Sequence, residues 1–138
     1  MKFEQKKILR STWIKVLTVG DAAGEMFYRR LFELDPDLRP LFDSADMAAQ
    51  RKKLIQSLSL VINSLSDPEP LEAYLKALGR RHVEYGVQDR HYDTVEVALL
   101  WTLEQVLGEA WNDAVRDAWS DAYGLVAEVM KSSSTRAA

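Results

Sequence analysis

The chain has 138 residues, 47% hydrophobic and 28% charged, enough for one buried core and too apolar for a disordered segment. It lacks cysteine and has two histidines, which excludes disulfide frameworks, thiolate metal sites, cysteine nucleophiles and three-histidine zinc catalysis. A net charge of −3, no long apolar run and the charged start Met1-Lys2-Phe3-Glu4 argue against nucleic acid, membranes and a signal peptide, so a soluble cytoplasmic protein is expected.

Helical periodicity dominates and strand alternation is almost absent, so the fold class is all-α. A first helix is expected over about 3–18, stopped at Gly20. A second starts from Asp21 as N-cap, turns Met26, Phe27, Leu31 and Leu34 inward and ends before Pro36. Gly24 inside it is either tolerated, at a cost of about 1 kcal/mol, or marks a close helix crossing. A short helical turn from Pro36 to Leu41 and an irregular corner, Phe42-Asp43-Ser44-Ala45-Asp46, follow. The third long helix, about 47–65, carries the stripe Leu54, Leu58, Val61, Ile62 and Leu65. Asp67-Pro68-Glu69-Pro70 breaks it, all four prolines being placed between periodic segments. Further helices are expected at about 71–84, 91–107 and 110–131, with breaks at Gly86 and Gly108. Residues 1–131 form one domain in this reading, and 132–138 a frayed tail. Trp13, Trp101, Trp111 and Trp119 read as core or interface packing. A partly exposed Trp111 leaves room for a dimer contact, so the expectation is a monomer or weak homodimer.

His82 continues the inward stripe Leu71, Leu75, Leu78 of its helix. An imidazole aimed at a core is either a buried neutral histidine bonded to a carbonyl or a metal ligand whose other nitrogen is held by an acceptor, for which the Leu78 carbonyl lies one turn back. His91 falls nine positions on, beyond Gly86, and does not share that face. One protein ligand suffices only where another molecule completes the coordination, as the four pyrrole nitrogens of haem do. The leucines, Phe42 and Val87 supply apolar walls. Arg81 and Lys53 suit the haem carboxylates, or are solvated surface charges.

Leu78-Gly79-Arg80-Arg81-His82-Val83-Glu84-Tyr85-Gly86-Val87 followed by His91-Tyr92 resembles bacterial globins of the flavohaemoglobin and single-domain (Vitreoscilla-type) haemoglobin kind. So do Phe27-Tyr28-Arg29-Arg30-Leu31-Phe32, Arg39-Pro40-Leu41-Phe42-Asp43 and Ala118-Trp119-Ser120-Asp121-Ala122-Tyr123. The similarity runs from about residue 5 to 131. It implies a globin fold, helices packed around a buried haem pocket, with haem b as cofactor. By the same resemblance His82 is the proximal ligand, Phe42 wedges the haem, Tyr28 and Gln50 are distal hydrogen-bond donors, Leu54 lies over the iron and Tyr92 near the proximal histidine. Gln56 is the competing donor if the third long helix is in another register. The family's late glutamate has no counterpart: its position falls near Ser134.

The function this implies is reversible binding of O2, and of CO and NO, in a polar high-affinity pocket, for oxygen transport or storage, with no residue assigned to catalysis. The alternative is nitric oxide dioxygenase activity with electrons from a separate reductase, since the reductase part of flavohaemoglobins is not in this chain. A haem-based sensor and a haem-free helical interaction domain are weaker readings.

Overall fold

The computed structural model describes residues 2–137, with side chains through Ser133. Six α-helices follow one another: α1 (Phe3–Leu17), α2 (Gly20–Leu34), α3 (Met47–Asn63), α4 (Pro68–Glu84), α5 (Asp89–Leu107) and α6 (Asp113–Ala137). Short 3₁₀ segments lie at Pro36–Phe42 and Gly108–Ala110, and there is no strand among the described residues. None of these helices is long and apolar enough to cross a membrane.

Local chemistry explains most boundaries and corrects some expectations. The Asp46 carboxylate accepts from the Ala48 N–H at 3.0 Å and starts α3. Asp21 does not cap α2. Gly20 is already helical, and the Asp21 carboxylate accepts from Arg51 Nε at 3.0 Å instead, tying α2 to α3. Pro68 and Pro70 stand inside the first turn of α4, where an N–H has no helical partner to lose, so that helix begins earlier than the proline break implied. Conversely, α6 starts later, at Asp113, because Trp111 is extended and Asn112 Oδ1 accepts from the Val115 N–H at 2.9 Å. The expected tail is helical as far as Ala137, and Ser133 is buried and donates to the Lys76 carbonyl at 2.7 Å. Met1 and Ala138 lie outside the described residues.

Two packed clusters result. The larger joins α1, α2, α3, α5 and α6 around Leu9, Phe27, Leu103 and the Trp13–Trp119 pair, whose ring centroids are 5.9 Å apart. Both indoles are satisfied: Trp119 Nε1 donates to Thr12 and Trp13 Nε1 to Ser59, each at 2.9 Å. Trp111 is half-buried against this cluster, and Trp101 lies under the Arg30 guanidinium at 5.1 Å. The smaller cluster joins α4 to α6, with Val61 of α3 and Tyr92 of α5, and includes Leu75, Leu78, Val87 and Met130.

Between the two clusters the packing parts. Consecutive helices α3 and α4 meet near their connecting turn, where Tyr74 OH donates to Ser57 Oγ at 3.1 Å, and they do not pack along their length. α3 leans on α1 and α2, and α4 on α6. A slot opens between them.

Candidate functional site

The slot walls are built from stripe positions that would be core in an ordinary bundle. Leu54 and Leu58 on α3, Phe42 before it, and Leu78, His82 and Val87 on the other side are all only half-buried. Apolar side chains at inward positions without full protein cover are the lining of a binding cleft rather than of a closed core. Beyond His82, Leu41 Cδ2 sits 3.2 Å from where a Cβ on Gly86 would be.

His82 projects from the last turn of α4. Its Nδ1 lies 2.8 Å from the Leu78 carbonyl. A carbonyl only accepts, so Nδ1 carries the proton and the lone pair is on Nε2. Among the described residues no hydrogen bond reaches Nε2. Burial pushes the imidazole pKa down, Arg81 adds to this, and the bond to Leu78 opposes it. The ring is therefore a neutral donor near neutral pH, the form that ligates a metal.

The opposite wall is set by a close crossing at Gly24. A Cβ there would lie 3.1 Å from Arg51 Cβ, so α2 and α3 approach as closely as they do because the residue has no side chain. Of the two readings of Gly24, the close crossing is the one found. Gln50, one residue before Arg51, lies beside Tyr28, one turn after Gly24. Tyr28 is buried, and burial lifts its phenol pKa above the ordinary value, against a smaller lowering by Gln50. The phenol is thus protonated at physiological pH. Gln56 is exposed and does not meet Tyr28. Phe42 packs edge-on against Tyr28 at 5.5 Å and against Phe32 at 5.4 Å.

The remaining residues singled out from the sequence are dispersed around this core. Lys53 and Arg81 are exposed. Tyr92 is buried in the α4–α6 cluster, its carbonyl accepting from Tyr123 OH at 2.6 Å and its ring 5.5 Å from Lys131 Nζ. The side chain of Ser134 lies outside the described residues. His91 is buried away from His82: its Nδ1 accepts from the Gln88 N–H at 2.9 Å and helps start α5. The two histidines do not converge, and among the described residues no group of three or more His, Cys, Asp or Glu could hold a metal ion.

One residue that positions the site carries no side-chain chemistry. A Cβ on Gly79 would lie 2.5 Å from the Met130 carbonyl oxygen, so α4 rests directly on the backbone of α6 three residues before His82. A glycine on an otherwise bulky stripe was the only available sign.

The donor set fits a haem: a single neutral imidazole with a free lone pair on one wall, apolar faces on both, a phenol and a carboxamide on the other, and cations on the helices that border the slot. An all-helical protein with such a slot is built to hold a flat prosthetic group. The sequence profile of the globin family matches residues 25–130. The chain belongs to the globin family, a family of haem proteins. It is 33% identical to a flavohemoprotein of Chromobacterium violaceum over 94% of its own length, and 31% identical to one of Rhizobium meliloti over 91%. It spans about a third of the length of those relatives, 33% and 32%. In structure it is similar to a bacterial globin from Campylobacter jejuni, with TM-score 0.86, 23% identity and coverage of 98% of this chain and 97% of that one. It is also similar to an engineered carbene transferase from Rhodothermus marinus, itself a candidate nitric oxide dioxygenase, with TM-score 0.88, 25% identity and coverage of 99% and 95%.

Proposed function

We propose that the protein binds haem b through His82 and uses it to hold O2 reversibly, with CO and NO as competing ligands. When bound, haem supplies a ferrous iron with one position open to a diatomic gas. His82 would ligate through Nε2, its ring fixed by the Leu78 carbonyl. Phe42, Leu54 and Val87 would cover the faces and keep water out, and Lys53 and Arg81 would meet the carboxylates.

What supports this reading most is the nearness of Tyr28 and Gln50 to each other on α2 and α3, a pair that would face His82 across the haem. A protonated phenol and an amide there hydrogen-bond a ligand that gains negative charge. They favour O2 over CO, and slow release. A hydrogen bond to a charged partner is worth about 1.5–3 kcal/mol, or roughly 10- to 150-fold in affinity. Tyr28→Phe keeps the ring against Phe42 and removes the donor, so O2 dissociation measured by stopped flow is expected to speed by roughly ten-fold or more, with CO dissociation nearly unchanged. An unchanged O2 rate would reduce Tyr28 to packing.

The flavohemoprotein relatives favour a second reading, oxidation of NO to nitrate by bound O2 with electrons from a separate reductase. Sustained turnover of NO and O2 with an added reductase distinguishes it from simple gas binding. Both readings place the protein in the cytoplasm, where such reductants are found.

A further inference from the structure

The open end of the slot carries more positive charge than the haem carboxylates account for. The Tyr74–Ser57 bond ties α3 to α4 near their turn. Residues before Ser57 on α3 and after Tyr74 on α4 therefore lie towards the end where the helices diverge. Lys52 and Lys53 are there on one helix, Arg80 and Arg81 on the other, all exposed, and none of them makes an ion pair among the described residues. Glu84 is the acid in the same turn of α4. In a chain of net charge −3, the two helices that border the slot thus carry four cations without an acidic partner.

Two large apolar side chains are exposed among these cations. Val83 is 43% and Tyr85 58% accessible, although both stand next to a half-buried stripe. Tyr85 also touches the site itself, its ring centroid 5.8 Å from that of His82 at an angle of 54°. An exposed tyrosine with an aliphatic neighbour inside a cationic rim has the make-up of a protein-binding surface, where aromatic and arginine side chains carry most of the affinity. The chain's overall negative charge and the small number of cations do not suit nucleic acid.

We propose that the last turn of α4, with the α3 lysines across the slot from it, is the docking face for a small acidic protein that carries one electron on a flavin or iron–sulfur centre, and that Tyr85 seats this partner next to His82. The proposal rests on the haem reading of the same site. The exchange is one electron: the carrier's centre is oxidised by one, the ferric iron becomes ferrous, and no proton or atom moves. Steering by opposite charge would act mainly on the association rate and fade with salt.

The test uses the haem-loaded protein and an acidic [2Fe–2S] ferredoxin as probe, with binding measured by calorimetry and reduction by stopped flow at low and physiological salt. The variant K52E/R80E is expected to lose roughly ten-fold in both affinity and second-order reduction rate and to flatten the salt dependence, with K52Q/R80Q falling between. Tyr85→Ala is expected to weaken binding at both salt concentrations. In the charge variants, haem content, the CO spectrum and reduction by dithionite are expected to stay as in the parent. Equal ferredoxin affinity and salt dependence in parent and K52E/R80E would overturn the proposal. So would a parent that binds phosphatidylglycerol vesicles and not the ferredoxin. A parent that takes up no haem fails the underlying reading instead, whereas one that takes up haem and ignores the ferredoxin fails only this inference.

Discussion

The two histidines show how one residue type takes different work from its surroundings. His82 gives its Nδ1 proton to a carbonyl and keeps a lone pair for the slot, whereas the lone pair of His91 Nδ1 is used by the Gln88 N–H. His91 is buried, and burial and then Arg90 push its pKa below the ordinary value against an opposing effect of Asp35. In the folded state it binds a proton less readily than in the unfolded chain. Its contribution to stability is therefore complete above the unfolded pKa of about 6.5 and is lost as pH falls below it. The variant His91→Gln can still complete the capping box without titrating. Urea midpoints at pH 7.5 and 5.5 are expected to show a smaller acid loss in this variant than in the parent. An equal loss would mean that His91 titrates alike in both states. Sequence spacing sufficed to separate the two histidines, and it aimed His82 at the core. Spacing alone left Gln50 and Gln56 both open as the neighbour of Tyr28, and the family resemblance favoured Gln50, because the choice depends on how α2 crosses α3.

That crossing, and the one between α4 and α6, belong to the scale of elements. Both use glycine to bring helices together, with different tolerance. At Gly24 the obstacle is the Arg51 side chain, 3.1 Å from a built Cβ, and it can shift by tenths of an ångström. At Gly79 it is the Met130 backbone at 2.5 Å, which can give way only if a helix moves. Gly79→Ala is expected to cost on the order of 1–3 kcal/mol and to disturb haem uptake through the displacement of His82, with Gly24→Ala milder on both counts. Denaturation and haem titration of the two variants check this order, and equal effects would contradict it. Periodicity revealed the helices because their buried faces repeat at helical spacing. Their ends were less legible: Pro68 and Pro70 read as a break although the first helical turn tolerates them, and the serine-rich end of α6 has no apolar stripe of its own yet is anchored by Ser133 on Lys76.

On the scale of the whole molecule, α4 is the element with most to gain from an occupied slot, since it packs on α6 along one side and borders the slot along the other. A ligand that binds only the folded state stabilises it by about 4 kcal/mol at a thousand times its dissociation constant. Hydrogen exchange is expected to slow most in α4 on haem loading and least around the Trp13–Trp119 pair, which lies in the larger cluster. Slowing in α4 no greater than in the other helices would contradict this. The all-α class was readable from composition and periodicity, and the family from several spaced motifs. The slot itself was not, because a half-buried leucine and a fully buried one leave the same mark in a sequence.

Haem binding and the gas chemistry proposed for the pocket both depend on His82 as the iron ligand. The most direct measurement is hemin titration of the parent and of His82→Gly, each followed by visible spectra of the ferrous and ferrous–CO forms with and without added imidazole. The parent is expected to saturate at one equivalent with a histidine-ligated ferrous spectrum, and His82→Gly to recover that spectrum only when imidazole is supplied. The same ferrous spectrum from His82→Gly without imidazole, or no saturable uptake by the parent, would contradict the account.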